Sequence, residues 1–218
     1  MRLLTIQLLG LIGVQTVLGY PGLAAREPYT IAKRAGPGPE EELYFEEITV
    51  GAQIGQGADA TVSKANVRST EGWDSAKTWA FKYDYRNINF VQKELKAYKA
   101  IHGHGIGPEL GAKVVDMETL VDVGILVDYV ETRETDSKSK SDARVAMRAL
   151  KALHGLGWVH GDIHMVENIL IRKSDSQALL IDFVDASQTT DAGAVRNDLE
   201  SLKRVFSGVE WDGDEVKE

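Results

Sequence analysis

The chain has no cysteine among its 218 residues, so no disulfide can staple it and its fold must be held by a packed core. It has no Asn-x-Ser/Thr acceptor, so N-glycosylation gives no sign of export. Positive charge is in deficit. With 25 Lys and Arg against 33 Asp and Glu the formal net charge is −8, which opposes binding to phosphate backbones and removes nucleic acid from the expected partners. No internal repeat is visible. What is present, 43% hydrophobic and 27% charged residues, is ordinary for a globular protein and excludes disorder as the default. The length suits one sizeable domain or a small two-lobed one.

Charge is also missing from Leu3 to Ala25, "LLTIQLLGLIGVQTVLGYPGLAA", which follows the basic Arg2 and ends in small residues. Residues 1–25 therefore read as a secretory signal peptide, and the protein as secreted, with no membrane association once the signal is removed. A retained signal-anchor is the alternative, since the run approaches the roughly 20 residues needed to span a bilayer; Gln7, Gln15 and several glycines count against it. Residues 26–47 read as a propeptide or flexible linker. Within it Lys33-Arg34 resembles a dibasic processing site, the other reading being two solvated charges. Export without cysteine fits an ordinary secreted domain, and equally a protein that acts inside another cell's reducing cytosol.

From Ile48 the pattern becomes dense. "ITVGAQIGQGADATVSKANV" reads as two strands around a Gly-rich turn, and "TWAFKYDY" as a strand whose Lys82 needs an anionic partner. Asn87 or Asn89 can cap the next segment, where Val91, Leu95, Tyr98 and Ile101 share one face of a helix that ends at Gly103. Glu94 lies beside that apolar stripe and can point toward Lys82. "HGHGIGPELG" reads as a turn-rich connector, "LVDVGILVDYVE" as a strand, and Thr132 to Asp142 as an exposed loop. A helix from Ser141 buries Ala146, Leu150 and Leu153. Two short strands follow in "NILIRKSDSQALLIDFVD", then a helix, "VRNDLESLKRVF", with Leu199, Leu202 and Val205 inward. Residues 208–218 read as a loose acidic tail.

Taken in order, the Gly-rich hairpin, strand lysine, helix glutamate, apolar strand, "LHGLGWVHGDI", "NILI" and "LIDF" resemble the protein kinase superfamily, in its small atypical members. The glycine after His160 is similar to the compact kinase of the KEOPS tRNA-modification complex, the RIO kinases, and the aminoglycoside or choline phosphotransferases. The resemblance implies an α+β, two-lobed fold, with a β-rich N-lobe over 48–131 carrying one helix and a shortened helical C-lobe over 132–207. It implies ATP and Mg²⁺ as cofactors. Gly55 and Gly57, with Val62, would lie over the nucleotide. Lys82, oriented by Glu94, would hold the α- and β-phosphates, and the backbone at Asp128, Tyr129 and Val130 would meet adenine. Asp162 would be the catalytic base, and Asn168 and Asp182 the magnesium ligands.

The departures are again absences. Ala60 replaces a third glycine, Val184 replaces the glycine of Asp-Phe-Gly, and Gly161 replaces the arginine that binds a phosphorylated activation loop. Regulation by such phosphorylation is not expected. No Ala-Pro-Glu follows Asp182, Asp198 reads as the residue opening the lobe's central helix, and little of the peptide-docking platform is present. His164 stands where protein Ser/Thr kinases carry lysine; it leans toward small-molecule phosphotransferases, or is a hydrogen bond within the loop. From Asp162 to Asn168 the loop is one residue longer than in kinases, which requires a bulge among Met165, Val166 and Glu167 or places Glu167 as an alternative ligand. The expected function is ATP- and Mg²⁺-dependent transfer to protein Ser/Thr hydroxyls, with a protein substrate or binding partner. A secreted pseudokinase serving as a binding module, or a small-molecule hydroxyl kinase, are the alternatives.

Overall fold

A computed structural model describes residues 36–57, 60–83 and 88–217. The expected signal segment 1–25, Lys33-Arg34 and the N-cap candidate Asn87 lie outside them. In chain order the elements are β1 (Glu42–Tyr44), β2 (Ile48–Gln56), β3 (Thr61–Val67), β4 (Thr78–Tyr83), α1 (Ile88–Ile101), β5 (Leu110–Val115), β6 (Asp122–Asp128), β7 (Thr132–Arg133) and α2 (Lys140–Gly155). They continue with β8 (Trp158–Val159), β9 (Ile169–Arg172), β10 (Ala178–Leu180), β11 (Ser187–Gln188), α3 (Ala192–Val205), β12 (Trp211–Asp212) and β13 (Glu215–Val216). The architecture is α+β and kinase-like, with a β-rich sheet and a small helical part.

One six-stranded sheet, in the order β1-β5-β6-β4-β3-β2, forms the first lobe. Period-two alternation gives it two faces. Trp79, Phe81, Ala112, Val114 and Leu126 pack on one side with Leu43, Ile48 and Trp73. Ala80, Ile125 and Val127 face the other way, toward α1 and the main core. On α1, Val91, Tyr98 and Ile101 are buried as their spacing requires, and Leu95 is partly buried. Asn89 falls inside the helix. The second lobe packs α2 and α3 against the β9–β10 hairpin, with Ala146, Leu150, Leu153 and Leu202 fully enclosed.

Four expectations are corrected. Residues 42–47 are not linker: β1 pairs in parallel with β5, and Leu43 is buried. The connector runs directly into β5, whose residues are buried on both faces except Lys113, so no alternation announced a strand. The segment 132–142 is not simply an exposed loop. Arg133 forks onto Asp142 with two bonds of 2.7 Å, Asp142 is 1% exposed, and Ser139 caps α2 by accepting from the Asp142 N–H. Finally, 208–217 is a hairpin, β12 against β13, whose base inserts Val209 and Val216 into the main core.

Candidate active site

Lys82 sits on β4 two residues from Ala80, so both face the cleft between the lobes. Its Nζ lies 2.8 Å from Glu94 Oε1 on α1 and 2.8 Å from Asp182 Oδ1 beyond β10. Burial works against the ammonium, but the two carboxylates outweigh it and push the Lys82 pKa up. Burial pushes the Glu94 carboxyl up as well, with Lys82 countering only in part. Glu94 Oε1 also accepts from the Phe183 N–H at 3.2 Å, which ties the helix to the Asp-Phe segment. The costly lysine in a strand therefore has its expected partner, and a second one.

The loop between β8 and β9 is anchored from below. Asp198 accepts from the backbone N–H of His160 at 2.6 Å and of Gly161 at 3.1 Å, and its Oδ2 lies 3.1 Å from His154 Nε2. Asp198 does not open its helix, as the sequence suggested; Asp191 caps α3, and Asp198 projects from within it. His160 Nε2 donates to the Ile181 carbonyl at 3.0 Å, and burial pushes its pKa down, so the ring is a neutral strut. Gly161 has φ +80°, and a Cβ there would come within 2.5 Å of the Asp185 carbonyl oxygen. The missing arginine is thus a backbone requirement of this loop.

The extra residue is absorbed as the bulge reading required. Met165 turns outward, 44% exposed, and Val166–Asn168 close a single 3-10 turn in which the Asn168 N–H donates to the Met165 carbonyl. Asn168 stays in place, with Nδ2 donating to the Asp162 backbone oxygen and to Asp162 Oδ2, both at 2.9 Å. On the other side of the carboxylate, His164 Nδ1 lies 2.9 Å from Asp162 Oδ1.

A cavity of about 1130 Å³ collects Gly55, Gly57, Val62, Lys82, Glu94, Asp128, Tyr129, Val130, Asp162, Asn168 and Asp182, the residues that the resemblance assigned to the nucleotide, the metal and the catalytic base; Gly161, His164 and Asp198 do not line it. Ala60, Glu167 and Val184 line it too. One refinement concerns the segment between the lobes. The Asp128 N–H is already donated to the Glu109 carbonyl at 2.9 Å and its carboxylate accepts from the Lys77 ammonium at 2.6 Å, which leaves the backbone from Tyr129 onward to meet a ligand's donors and acceptors. Sequence reasoning missed Ala80, Ile125 and Val127, which form the apolar wall, although alternation around Lys82 carried that signal. It also missed His154 as a support of the loop.

Comparison with protein families matches residues 91–218, from α1 onward, to the lipopolysaccharide kinase (Kdo/WaaP) family. The chain belongs to that family. The Kdo/WaaP assignment makes it a kinase-like phosphotransferase. This family member is also similar to Calcium-dependent protein kinase 6 of Oryza sativa subsp. japonica, at 26% identity over 178 residues. That match covers 77% of the chain and 29% of the relative, so the chain spans under a third of the length of the curated relative it matches. In this Kdo/WaaP protein the matched region includes Glu94, the loop of Asp162 and Asn168, and Asp182.

Proposed function

We propose that the protein is an ATP- and Mg²⁺-dependent phosphotransferase that acts on an alcohol group. One observation carries this reading: Lys82 lies 2.8 Å from both Glu94 and Asp182 in the cavity that also holds Asp162 and Asn168. A purely structural ion pair has no need of the second carboxylate and the asparagine. The donor set fits the cofactors. Asn168 commits its amide N–H groups to Asp162, which leaves its carbonyl oxygen, with Asp182, as hard donors of the kind Mg²⁺ takes when phosphates supply the rest.

When bound, MgATP supplies the γ-phosphoryl group and the charge that offsets its oxygens. Lys82 holds α- and β-phosphate charge, and Glu94 keeps the ammonium in place. Gly55 and Gly57 line the cavity at the end of β2, where having no side chain lets the phosphates approach closely, while the Gly57 N–H itself is donated to the Ala60 carbonyl at 2.9 Å. Asp162 orients the acceptor hydroxyl in line with the bond to be broken. The favoured acceptor is the hydroxyl of a sugar or other compact group. Between Asp182 and α3 the chain makes a 3-10 turn, returns as β11 against β8, and enters the helix, leaving little segment on which to lay an extended peptide. The family's name, a lipopolysaccharide kinase, supports the same acceptor class. Transfer to protein Ser/Thr hydroxyls is the second reading, favoured by the likeness to a calcium-dependent protein kinase.

The test is thermal stabilisation by ATP with and without Mg²⁺, followed by transfer of labelled phosphate to Kdo-bearing saccharides and to Ser/Thr peptides, with Asp162→Ala as control. The proposal expects stabilisation that needs Mg²⁺ and transfer that needs Asp162. No shift at millimolar nucleotide and no transfer would overturn it, and a shift without transfer would make the protein a nucleotide-binding pseudokinase. Export remains part of the proposal, and a secreted form beginning at Ala35 is the result it expects.

A further inference from the structure

The charges along the cavity do not balance. Eight carboxylates line it against two ammonium groups, and neither ammonium serves the end at Asp162. Lys82 is held between Glu94 and Asp182, where phosphates belong. Lys173 lies at the segment that joins the lobes, its N–H donated to the Glu131 carbonyl at 2.9 Å. The acceptor end is therefore acidic without a cation of its own among the described residues.

Two further carboxylates flank Asp162 there. Glu167 comes from the 3-10 turn that absorbs the extra loop residue, and Asp185 closes the turn that follows Asp182. Asp185 packs at the root of the Asp162 loop, since a Cβ on Gly161 would lie 3.3 Å from the Asp185 Cβ. Both are exposed, both line the cavity, and neither side chain has a hydrogen bond or ion pair among the described residues. The site beside them is built independently of these two acids. Asn168 between them is 7% exposed, and while its Nδ2 donates to Asp162, its side-chain oxygen accepts from no described residue. A cleft lined by charge of one sign concentrates ligands of the other sign and repels its own. MgATP as a whole is an anion, so bound nucleotide strengthens that field.

We infer that the acceptor is a compact alcohol carrying positive charge, an amine-bearing sugar or amino alcohol, and that Glu167 and Asp185 select it by pairing with its ammonium. The inference rests on the phosphotransferase reading above. An ammonium donates charge-assisted hydrogen bonds to these oxygens, a neutral sugar gives them only ordinary ones, and an acidic saccharide meets three like charges at Asp162, Glu167 and Asp185.

The experiment titrates the full chain, with Mg²⁺ and a non-hydrolysable ATP analogue, with two probes of equal length, the glucosamine trisaccharide and the galacturonic acid trisaccharide. The amine probe should bind at least about tenfold more tightly than the acidic one, and its binding should weaken as salt rises to about 0.5 M, where the screening length is about 4 Å. Glu167→Gln with Asp185→Asn, first shown to melt like the wild type, should bind the amine probe about tenfold more weakly and keep its MgATP affinity within about twofold. With ATP, the same variant should lose the wild type's preference for amine-bearing over acidic acceptors in kcat/KM. The chain is acidic overall, with a net charge of −8, so a control removes two charges elsewhere. Glu46→Gln with Glu210→Gln, both exposed and outside the cavity, should bind the amine probe like the wild type. Equal affinity for the two probes, no binding of the amine probe, or an equal loss in the control would overturn the inference. If Mg²⁺ and nucleotide do not stabilise the wild type, the phosphotransferase reading fails, and titrations without nucleotide still report separately whether the two carboxylates select an amine.

Discussion

Glu94 is 3% exposed, and its carboxylate is held by Lys82 and the Phe183 N–H. Removing the ammonium leaves a buried carboxylate with a backbone donor alone, and breaking a buried pair from one side costs about 3 to 5 kcal/mol. Lys82→Met should therefore lose about 3 kcal/mol in urea unfolding as well as all Mg²⁺-nucleotide stabilisation. Lys82→Met with Glu94→Leu should recover most of the stability and none of the transfer; equal stability of the single variant and wild type would count against a structural share for the pair. Gly161 makes a second residue-scale case. Alanine there must accept φ +80° and a 2.5 Å approach to the Asp185 carbonyl, so Gly161→Ala should lose about 1 to 3 kcal/mol of stability. A neutral result would mean the loop relaxes without strain. At this scale the sequence was legible where one side chain's chemistry demands another, as Lys82 in a strand demands a carboxylate. It was silent where the partner is backbone or distant, as with Asp198 holding the His160 and Gly161 amides, or Arg133 forking onto Asp142.

The loops between elements are held by groups that titrate. The Arg133 guanidinium holds the Asp142 carboxyl below its ordinary range despite burial. Burial opposes charge on Asp198, but His154 and the His160 and Gly161 amides outweigh it and hold that carboxyl low too. Burial likewise holds His160 below the usual imidazole range. All three bind protons less readily when folded. Their contribution to stability is full above the unfolded values, about 3.9 for Asp and 6.5 for His, and is lost as pH falls through the lower folded values. Glu94, pushed up by burial, has the opposite sign: its contribution is present below the unfolded value and fades as pH rises through the folded one. Urea midpoints should therefore fall on acidification from about pH 6.5, more steeply below about pH 4, and Asp142→Asn should flatten the lower part. Parallel curves for wild type and variant would sink the assignment to Asp142. The elements themselves were legible by how they are buried. α1 and α2 have one wet face and announced themselves by spacing, whereas β5 is enclosed on both faces and β1 exists only because β5 offers an edge for Leu43.

Two cores lie on opposite faces of the six-stranded sheet, and the main one, which continues into the second lobe, depends on a piece that composition disguised. Residues 208–217 are acidic, yet Val209 and Val216 are buried in the main core, while Lys151–Glu215 at 2.8 Å and Lys203–Asp214 at 2.9 Å pin the hairpin to α2 and α3. The ion pairs are exposed on their acidic side and add little; the valines carry the attachment. Truncation after Ser207 removes both, and at about 1.5 to 3 kcal/mol for each buried aliphatic side chain the shortened chain should lose about 3 to 6 kcal/mol. None of the hairpin lines the cavity. If the hairpin serves the fold and not the site, a nucleotide concentration of 100 times Kd should stabilise full-length and truncated chains by the same increment, about 2.7 kcal/mol. Paired melting curves with and without MgATP measure both quantities at once. A truncated chain that keeps its stability would place the hairpin outside the core, and one that folds but gains nothing from nucleotide would show that closing the second lobe is what shapes the cleft around Asp162.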